Sequence, residues 1–142
     1  MSNNINVKNL NVPKKKFFMY WLQLLKPYHK LRDKEIEMLG LFLNKRHELS
    51  QKINDDDLID TLLFDKIYKD QIRKEMNYSS HQVFNNMLSS LRSKGVIING
   101  KINKGLIPVL SEDSNNFKLI FNFNIQDEVR LTTEKDSSRT IS

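Results

Sequence analysis

The stretch between residues 69 and 108 limits the fold most. Within it, the spacing of the apolar residues changes from the spacing typical of helices to the spacing typical of strands. It opens on a predicted helix over Lys69–Met76, in which Ile72 lies four residues before the final methionine. Asn77 suits the left-handed backbone that follows a helix end. Tyr78 is the one large side chain of the turn, and we expect it to pack inward.

A second helix is predicted directly after this turn. Ser79 is a good N-cap, and Gln82 three residues later completes a capping box. Gly95 is predicted to end the helix, since glycine adopts left-handed backbone there without strain. The apolar residues between them recur three and four apart, which predicts one buried face made of Val83, Phe84, Met87, Leu88 and Leu91.

A β-hairpin is predicted after the second helix. Residues Val96–Ile98 are all β-branched, which favours a strand. Asn99-Gly100 is the strongest short-range hairpin signal, because both residues accept a positive φ. Lys101–Ile107 would be the return strand, which Pro108 limits.

Two further helices are predicted before this stretch. Asp33 would cap a helix over residues 33–46, in which Gly40 is either tolerated at some cost or marks a close helix crossing. Asp55-Asp56-Asp57 lacks the alternating ligands, central glycine and final glutamate of an EF-hand loop. It is therefore interpreted as a solvated loop that caps a helix over Leu58–Phe64.

In this order the elements predict an α+β fold, with three to four helices followed by a small antiparallel β wing. The segments LRDKEIEMLGLFL and IRKEMNYSSHQVFNNMLSSLRSKGVI, followed by the Asn-Gly turn, resemble the winged helix-turn-helix DNA-binding domains of bacterial and phage regulators. They also look like small winged-helix proteins encoded by phages of gut Bacteroidales, over residues 31–108. The resemblance implies non-enzymatic, sequence- or structure-selective binding of double-stranded DNA, in phage-related transcription regulation or packaging.

The charge distribution agrees with a polyanionic partner. The net charge is +6, from 23 basic and 17 acidic residues. Residues 66–104 hold 8 basic and 2 acidic side chains, and residues 1–35 hold the same numbers. Residues 36–65, between these blocks, hold 3 basic and 7 acidic side chains, so the second basic block coincides with the predicted helix-turn-helix and wing.

Two groups of residues are predicted to contact DNA. In a helix-turn-helix the second helix lies in the major groove, where asparagine and glutamine pair with adenine. The base-reading residues would be His81, Gln82, Asn85, Asn86, Ser89 and Arg92, with Ser90 a further outward position. The phosphate-contacting residues would be Lys69, Arg73, Lys74, Asn99, Lys101 and Lys104.

The remaining segments complete the predicted organisation. Residues 1–13 are expected to form a flexible arm, residues 14–30 an amphipathic helix, residues 31–126 the winged-helix domain and residues 127–142 a disordered tail. The basic aromatic helix either packs on the domain or meets phosphate, lipid headgroups or a protein. Phe117–Ile125 alternates apolar and polar residues, which predicts a strand that joins the wing sheet or pairs with a partner.

A second functional class stays open at this point. A phage virion or assembly protein could use the same fold as an interaction module, with Phe17, Trp21 and the Phe117–Ile125 strand as protein contacts. No catalytic constellation, cofactor motif or metal-ligand spacing occurs, and the apolar run at residues 17–25 is too short to span a bilayer. We expect no enzyme activity, cofactor, metal or membrane association. The lack of cysteine fits the cytoplasm of a bacterial host cell, with the virion as the alternative location.

Overall fold

A computed structural model describes residues 5–110 and 116–127 of this chain. Over these residues the fold is α+β and mostly helical, with six α-helices and one two-stranded antiparallel sheet. The elements in chain order are α1 Phe17–Leu24, α2 Lys26–His29, α3 Asp33–Ser50, α4 Asp56–Leu63, α5 Lys66–Glu75, α6 His81–Ser93, β1 Ile97–Ile98 and β2 Lys101–Ile102. Single 3₁₀ turns lie at Lys14–Lys16 and Lys104–Leu106. Within the described residues no helix combines the length and the apolar character needed to cross a membrane.

The core is built around α3, the longest helix. Ile36, Leu39 and Phe42 recur on its inner side and are fully buried. The ring of Phe42 lies 4.9 Å from that of Phe64 and 6.5 Å from that of Phe84, so α3 meets both the end of α4 and the face of α6. These contacts place α6 directly on the central helix.

Helix α4 is fastened to α3 by a shielded ion pair. Arg46 Nε donates to Asp60 Oδ1 at 3.0 Å, and both side chains are largely buried. Asp55 caps α4, as the sequence predicts, because its Oδ1 accepts from the backbone N–H groups of Asp57 and Leu58. The acidic segment therefore has a structural role at a helix start.

The predicted N-terminal helix is divided into a 3₁₀ turn and two helices, and it packs on the core. Phe18, Trp21 and Leu22 of α1 are buried, and Trp21 Nε1 donates to the backbone carbonyl of Leu106 at 2.9 Å. Helix α1 ends at Leu24, before Pro27, and Pro27 lies in the first turn of α2, a position that needs no backbone donor. Trp21 is therefore a core residue and not the protein-contact surface that the sequence also allowed.

Gly40 marks a close helix crossing, one of the two interpretations of this glycine. A Cβ atom at Gly40 would lie 2.9 Å from Met19 Sδ of α1 and 3.7 Å from the Met19 backbone nitrogen. The methionine side chain is flexible and can move aside for one methyl group, whereas its backbone cannot make room for a branched side chain. The two helices therefore approach closely only because no side chain stands between them.

We expect Gly40→Leu to destabilise the fold by roughly 1–3 kcal/mol, the usual cost of overpacking. Trp21, the single tryptophan, reports the docking of α1, and its fluorescence should shift to longer wavelength as the helix loosens. Gly40→Ala is the matched control, in which gained helix propensity of about 1 kcal/mol offsets the shift of Met19. Equal urea midpoints for the leucine variant and the wild type would contradict the close crossing.

Several predicted boundaries differ in the structure. Helix α3 continues to Ser50 and is capped at Arg32, because Glu35 accepts from the Arg32 backbone N–H at 2.9 Å. The return strand ends at Ile102 and not at Ile107. Asn103 ends it, since its Oδ1 accepts from the Gly105 backbone N–H and starts the 3₁₀ turn.

The segment after the hairpin differs most from its prediction. One compact unit ends at Val109 and a second begins at Leu110. Residues 116–127 form neither helix nor strand, so the predicted Phe117–Ile125 strand is absent. Alternation alone makes no ladder, since backbone hydrogen bonds need a neighbouring strand. The predicted tail from residue 128 onward and the first four residues of the predicted arm lie outside the described residues.

Candidate nucleic-acid interface

Helix α6 has one buried side and one exposed side. Phe84, Leu88 and Leu91 are at most 2% exposed, so the spacing in the sequence correctly identifies the inner side. All six predicted base-reading side chains are exposed, namely those of His81, Gln82, Asn85, Asn86, Ser89 and Arg92. One surface of a single helix thus carries six hydrogen-bonding side chains over about three turns, and Arg92 is the last of them.

The start of α6 is defined by Ser80 and not by Ser79. Ser80 Oγ accepts from the Val83 backbone N–H at 3.4 Å, which shifts the predicted cap by one residue. Gln82 does not complete a capping box, because its Nε2 instead donates to Asn86 Oδ1 at 3.4 Å. The two amides lie one turn apart on the exposed side and restrict each other's orientation.

The connection between α5 and α6 is held by a side chain that was predicted to contact phosphate. Asn77 has a φ of 60°, as the sequence predicts for the end of the first helix. Arg73 Nη1 donates to the Tyr78 backbone carbonyl at 2.7 Å, and the Arg73 side chain is only 13% exposed. Tyr78 itself is half-buried. Arg73 therefore shapes the turn and offers little of its charge to solvent.

Helix α6 is also fastened to α3 through a fully buried carboxylate. Glu35 Oε2 accepts from Ser90 Oγ at 2.6 Å, and Glu35 Oε1 accepts from Lys94 Nζ at 2.6 Å. Burial raises the pKa of Glu35, but hydrogen bonds from Lys94, Ser90 and Arg32 outweigh it and lower the pKa from 4.5 to about 2. Ser90 consequently points toward α3 and leaves the outward set predicted from the sequence.

The hairpin turn forms where the sequence predicts it. Asn99 and Gly100 have φ angles of 53° and 74°, as a two-residue turn of type I′ requires, and Ile98 pairs with Lys101 across the strands. Lys101 Nζ lies 2.6 Å from Asp57 Oδ1 at the start of α4. This hydrogen bond lowers the pKa of Asp57 and raises the pKa of Lys101. One of the predicted wing cations is thus neutralised by an internal partner.

The other predicted phosphate contacts differ in their availability. Asn99, Lys74 and Lys104 are exposed, and Lys69 is half-buried. Lys69, Lys74, Lys104 and Arg92 form no salt bridge with any residue in the described part of the chain. Lys69, Lys74 and Arg92 can therefore meet an external anion without first losing an ion-pair partner, whereas Lys104 also interacts at longer range with Asp57.

Two residues of this region escape the sequence-based prediction. Glu35 lies in a charged segment that resembles an exposed surface. Its place three residues after a helix N-cap predicts only its hydrogen bond from the Arg32 backbone N–H, and not its contacts with Ser90 and Lys94. Val83 was assigned to the buried face but is 47% exposed. The helical angle explains this, because Phe84, Leu88 and Leu91 centre the buried side about 100° away from Val83.

Comparisons with protein-family models, curated proteins and solved structures found no match to this chain. Among the described residues, no group of three or more histidine, aspartate or glutamate side chains is placed to hold a metal ion. The functional proposal therefore depends on the geometry and chemistry of α5, α6 and the hairpin.

Proposed function

We propose that this chain binds double-stranded DNA, with α5 and α6 as a helix-turn-helix and the β1–β2 hairpin as its wing. The observation that carries the proposal is the exposed side of α6, where amide and hydroxyl groups lie on a helix whose other side is buried. Amides on an exposed helix match base edges in the major groove, which admits one α-helix. The buried Glu35 supports this role by holding α6 in one position on α3.

The exposed cations supply the sequence-independent part of binding. Lys74 lies at the end of α5 and Lys104 directly after the hairpin, on either side of α6 in the chain. Cations in these positions contact the phosphates beside the groove and fix the register of the recognition helix. The resemblance to bacterial and phage regulators implies that such binding serves transcription regulation or the packaging of phage DNA in the host cytoplasm.

We expect the affinity of the wild type for duplex DNA to fall steeply with salt, since each phosphate contact releases a counterion. Replacing Lys74 and Lys104 together by glutamine should weaken binding to all sequences alike. It should also flatten the slope of log affinity against log salt by up to about two units. The measurement is fluorescence anisotropy with a labelled duplex at several salt concentrations.

The matched control removes the same charge elsewhere. Lys26→Gln with Lys34→Gln replaces one lysine on α2 and one on α3, which pair with the carboxylates of Asp33 and Glu37 at 3.3 and 3.2 Å. These exposed pairs contribute little to stability, so the control should fold normally and keep the wild-type slope. A wild type that shows no binding even at low salt would refute DNA binding, and equal slopes for both double variants would refute the assigned phosphate contacts.

One observation favours a second candidate, a protein-interaction module in a phage particle. Tyr20, Leu24 and Tyr28 are 41%, 51% and 72% exposed, and they recur four residues apart on α1 and α2. Exposed apolar side chains of this kind offer a surface on which another protein can pack. In that case the chain should sediment with purified particles and bind free DNA weakly, and Leu24→Asp should abolish the co-sedimentation.

A further inference from the structure

Val83 changes the chemistry expected of the recognition surface. It is 47% exposed in the first turn of α6, where it stands between the buried side and the exposed amides. Asn86 lies three residues further on, so the Val83 and Asn86 side chains are neighbours on the helix surface. The early part of the helix, which reaches the base edges in this type of complex, thus offers a branched apolar group beside a carboxamide.

The amide of Asn86 is held ready for a two-point contact. Gln82 Nε2 donates to Asn86 Oδ1 at 3.4 Å, which uses one of the two lone pairs of that oxygen. The second lone pair and the Nδ2 hydrogens stay available. Adenine presents a donor at N6 and an acceptor at N7, which match one carboxamide oxygen and one carboxamide N–H.

The same surface lacks the groups that read guanine. Guanine presents two acceptors, O6 and N7, and its usual partner is arginine or lysine. From His81 to Leu91 the helix contains neither, and Arg92 is its first such residue. The apolar group fits a different feature, because only thymine carries a C5-methyl in the major groove.

We propose that α6 selects A·T base pairs, with Asn86 pairing to adenine and Val83 contacting a thymine methyl group. This inference rests on the proposed DNA binding and adds the class of sequence that is bound. Gln82 acts in it as a positioning residue, since its contact with Asn86 fixes the amide orientation. The two contacts are read from neighbouring positions of one helix, so they belong to the same or adjacent base pairs.

The experiment starts from a randomised duplex library, from which the wild-type chain selects its preferred sites. We expect an A·T-rich core. In a selected duplex, uracil then replaces thymine, which removes only the methyl group, and 7-deazaadenine replaces adenine, which removes only N7. Uracil should weaken wild-type binding about fourfold, the value of one buried methyl group.

The decisive comparison combines each change in the DNA with the amino-acid substitution that removes the same contact. Val83→Ala should bind the thymine and uracil duplexes equally, and Asn86→Ala should not distinguish adenine from 7-deazaadenine, because each pair of changes removes the same contact. Leu58→Ala, on α4 and 44% exposed, is the matched apolar control and should keep the full uracil effect. Gln82→Ala should weaken binding to the adenine duplex more than to the 7-deazaadenine duplex.

The outcomes separate the inference from the function on which it rests. Absence of binding to every duplex refutes DNA binding itself. Binding with a G·C-rich core, or with no preference, leaves the DNA proposal standing and overturns the A·T selection. An A·T-rich core with the same uracil penalty in wild type and Val83→Ala also overturns it, because the thymine methyl group would then be recognised by another side chain or through DNA shape.

Discussion

Glu35→Gln is expected to lower the free energy of unfolding by about 3 kcal/mol at pH 7. This value is the free energy that corresponds to the lowering of the Glu35 pKa from 4.5 to about 2. The substitution keeps the size of the side chain but removes its charge. Ser90 and Lys94 would then face a neutral amide at 2.6 Å, and the charge-assisted hydrogen bonds would be lost. Urea denaturation followed by Trp21 fluorescence measures the change.

The pH dependence follows from the direction of this shift. The pKa of Glu35 is lower in the folded chain than in the unfolded chain, so its stabilising contribution is complete above about pH 4.5. It is lost as the pH falls from there toward about 2, because the carboxylate must take up a proton. The wild type should therefore lose more stability than Glu35→Gln over this range.

Glu37→Gln provides the control on the same helix. Glu37 pairs with Lys34 at 3.2 Å and its side chain is 36% exposed, so the pair contributes no more than about 1 kcal/mol. Its acid profile should match the wild type. If Glu35→Gln kept wild-type stability at pH 7, or if both variants behaved alike, the buried carboxylate would not hold α6 on α3.

The second large effect is expected for Leu88→Ala, at about 2–5 kcal/mol of lost stability. Leu88 is 1% exposed on the inner side of α6, between Phe84 and Leu91. Truncation removes buried methyl groups and leaves a cavity that the surrounding side chains fill only in part. The measurement is again chemical denaturation, with the slope compared between variants to confirm that the folded state stays compact.

Leu24→Ala is the leucine control for this change. Leu24 is 51% exposed on α1, so its truncation removes little buried area and should change stability by no more than about 0.5 kcal/mol. If Leu88→Ala were equally mild, the inner side of α6 would be loosely packed. The rigid presentation that the proposed base reading requires would then be missing.

Local signals in the sequence account for most of the helical fold. Asn77, Gly95 and the Asn99-Gly100 pair all have positive φ angles, because few residue types adopt this backbone and their positions are therefore readable. The cap at Ser80 was missed by one residue since two adjacent serines offer the same chemistry. Local propensity thus predicted the ends of these helices more reliably than it predicted which serine caps the start of α6.

The contacts that shape the candidate interface join distant parts of the chain. Glu35 meets Lys94 across 59 residues, and Lys101 meets Asp57 across 44. No periodicity or turn signal encodes such a pair, because any surface lysine could meet any surface carboxylate. The Phe117–Ile125 prediction failed for the same physical reason, since a strand needs a partner that its own sequence does not specify.

The hydrogen bond from Trp21 to Leu106 spans 85 residues, which has a consequence for folding during synthesis. On the ribosome, α1 emerges early with Phe18, Trp21 and Leu22 uncovered, and its last partner emerges only after the hairpin. Closing so long a loop costs entropy before any contact repays it, so this step should come late and set the folding rate. Helix α1 can pack on α3 once α3 has emerged, as the approach of Met19 to Gly40 and of Phe18 to His47 shows. The hydrogen bond from Trp21 to Leu106 cannot form until the hairpin has followed, so the docking of α1 is completed only near the end of elongation.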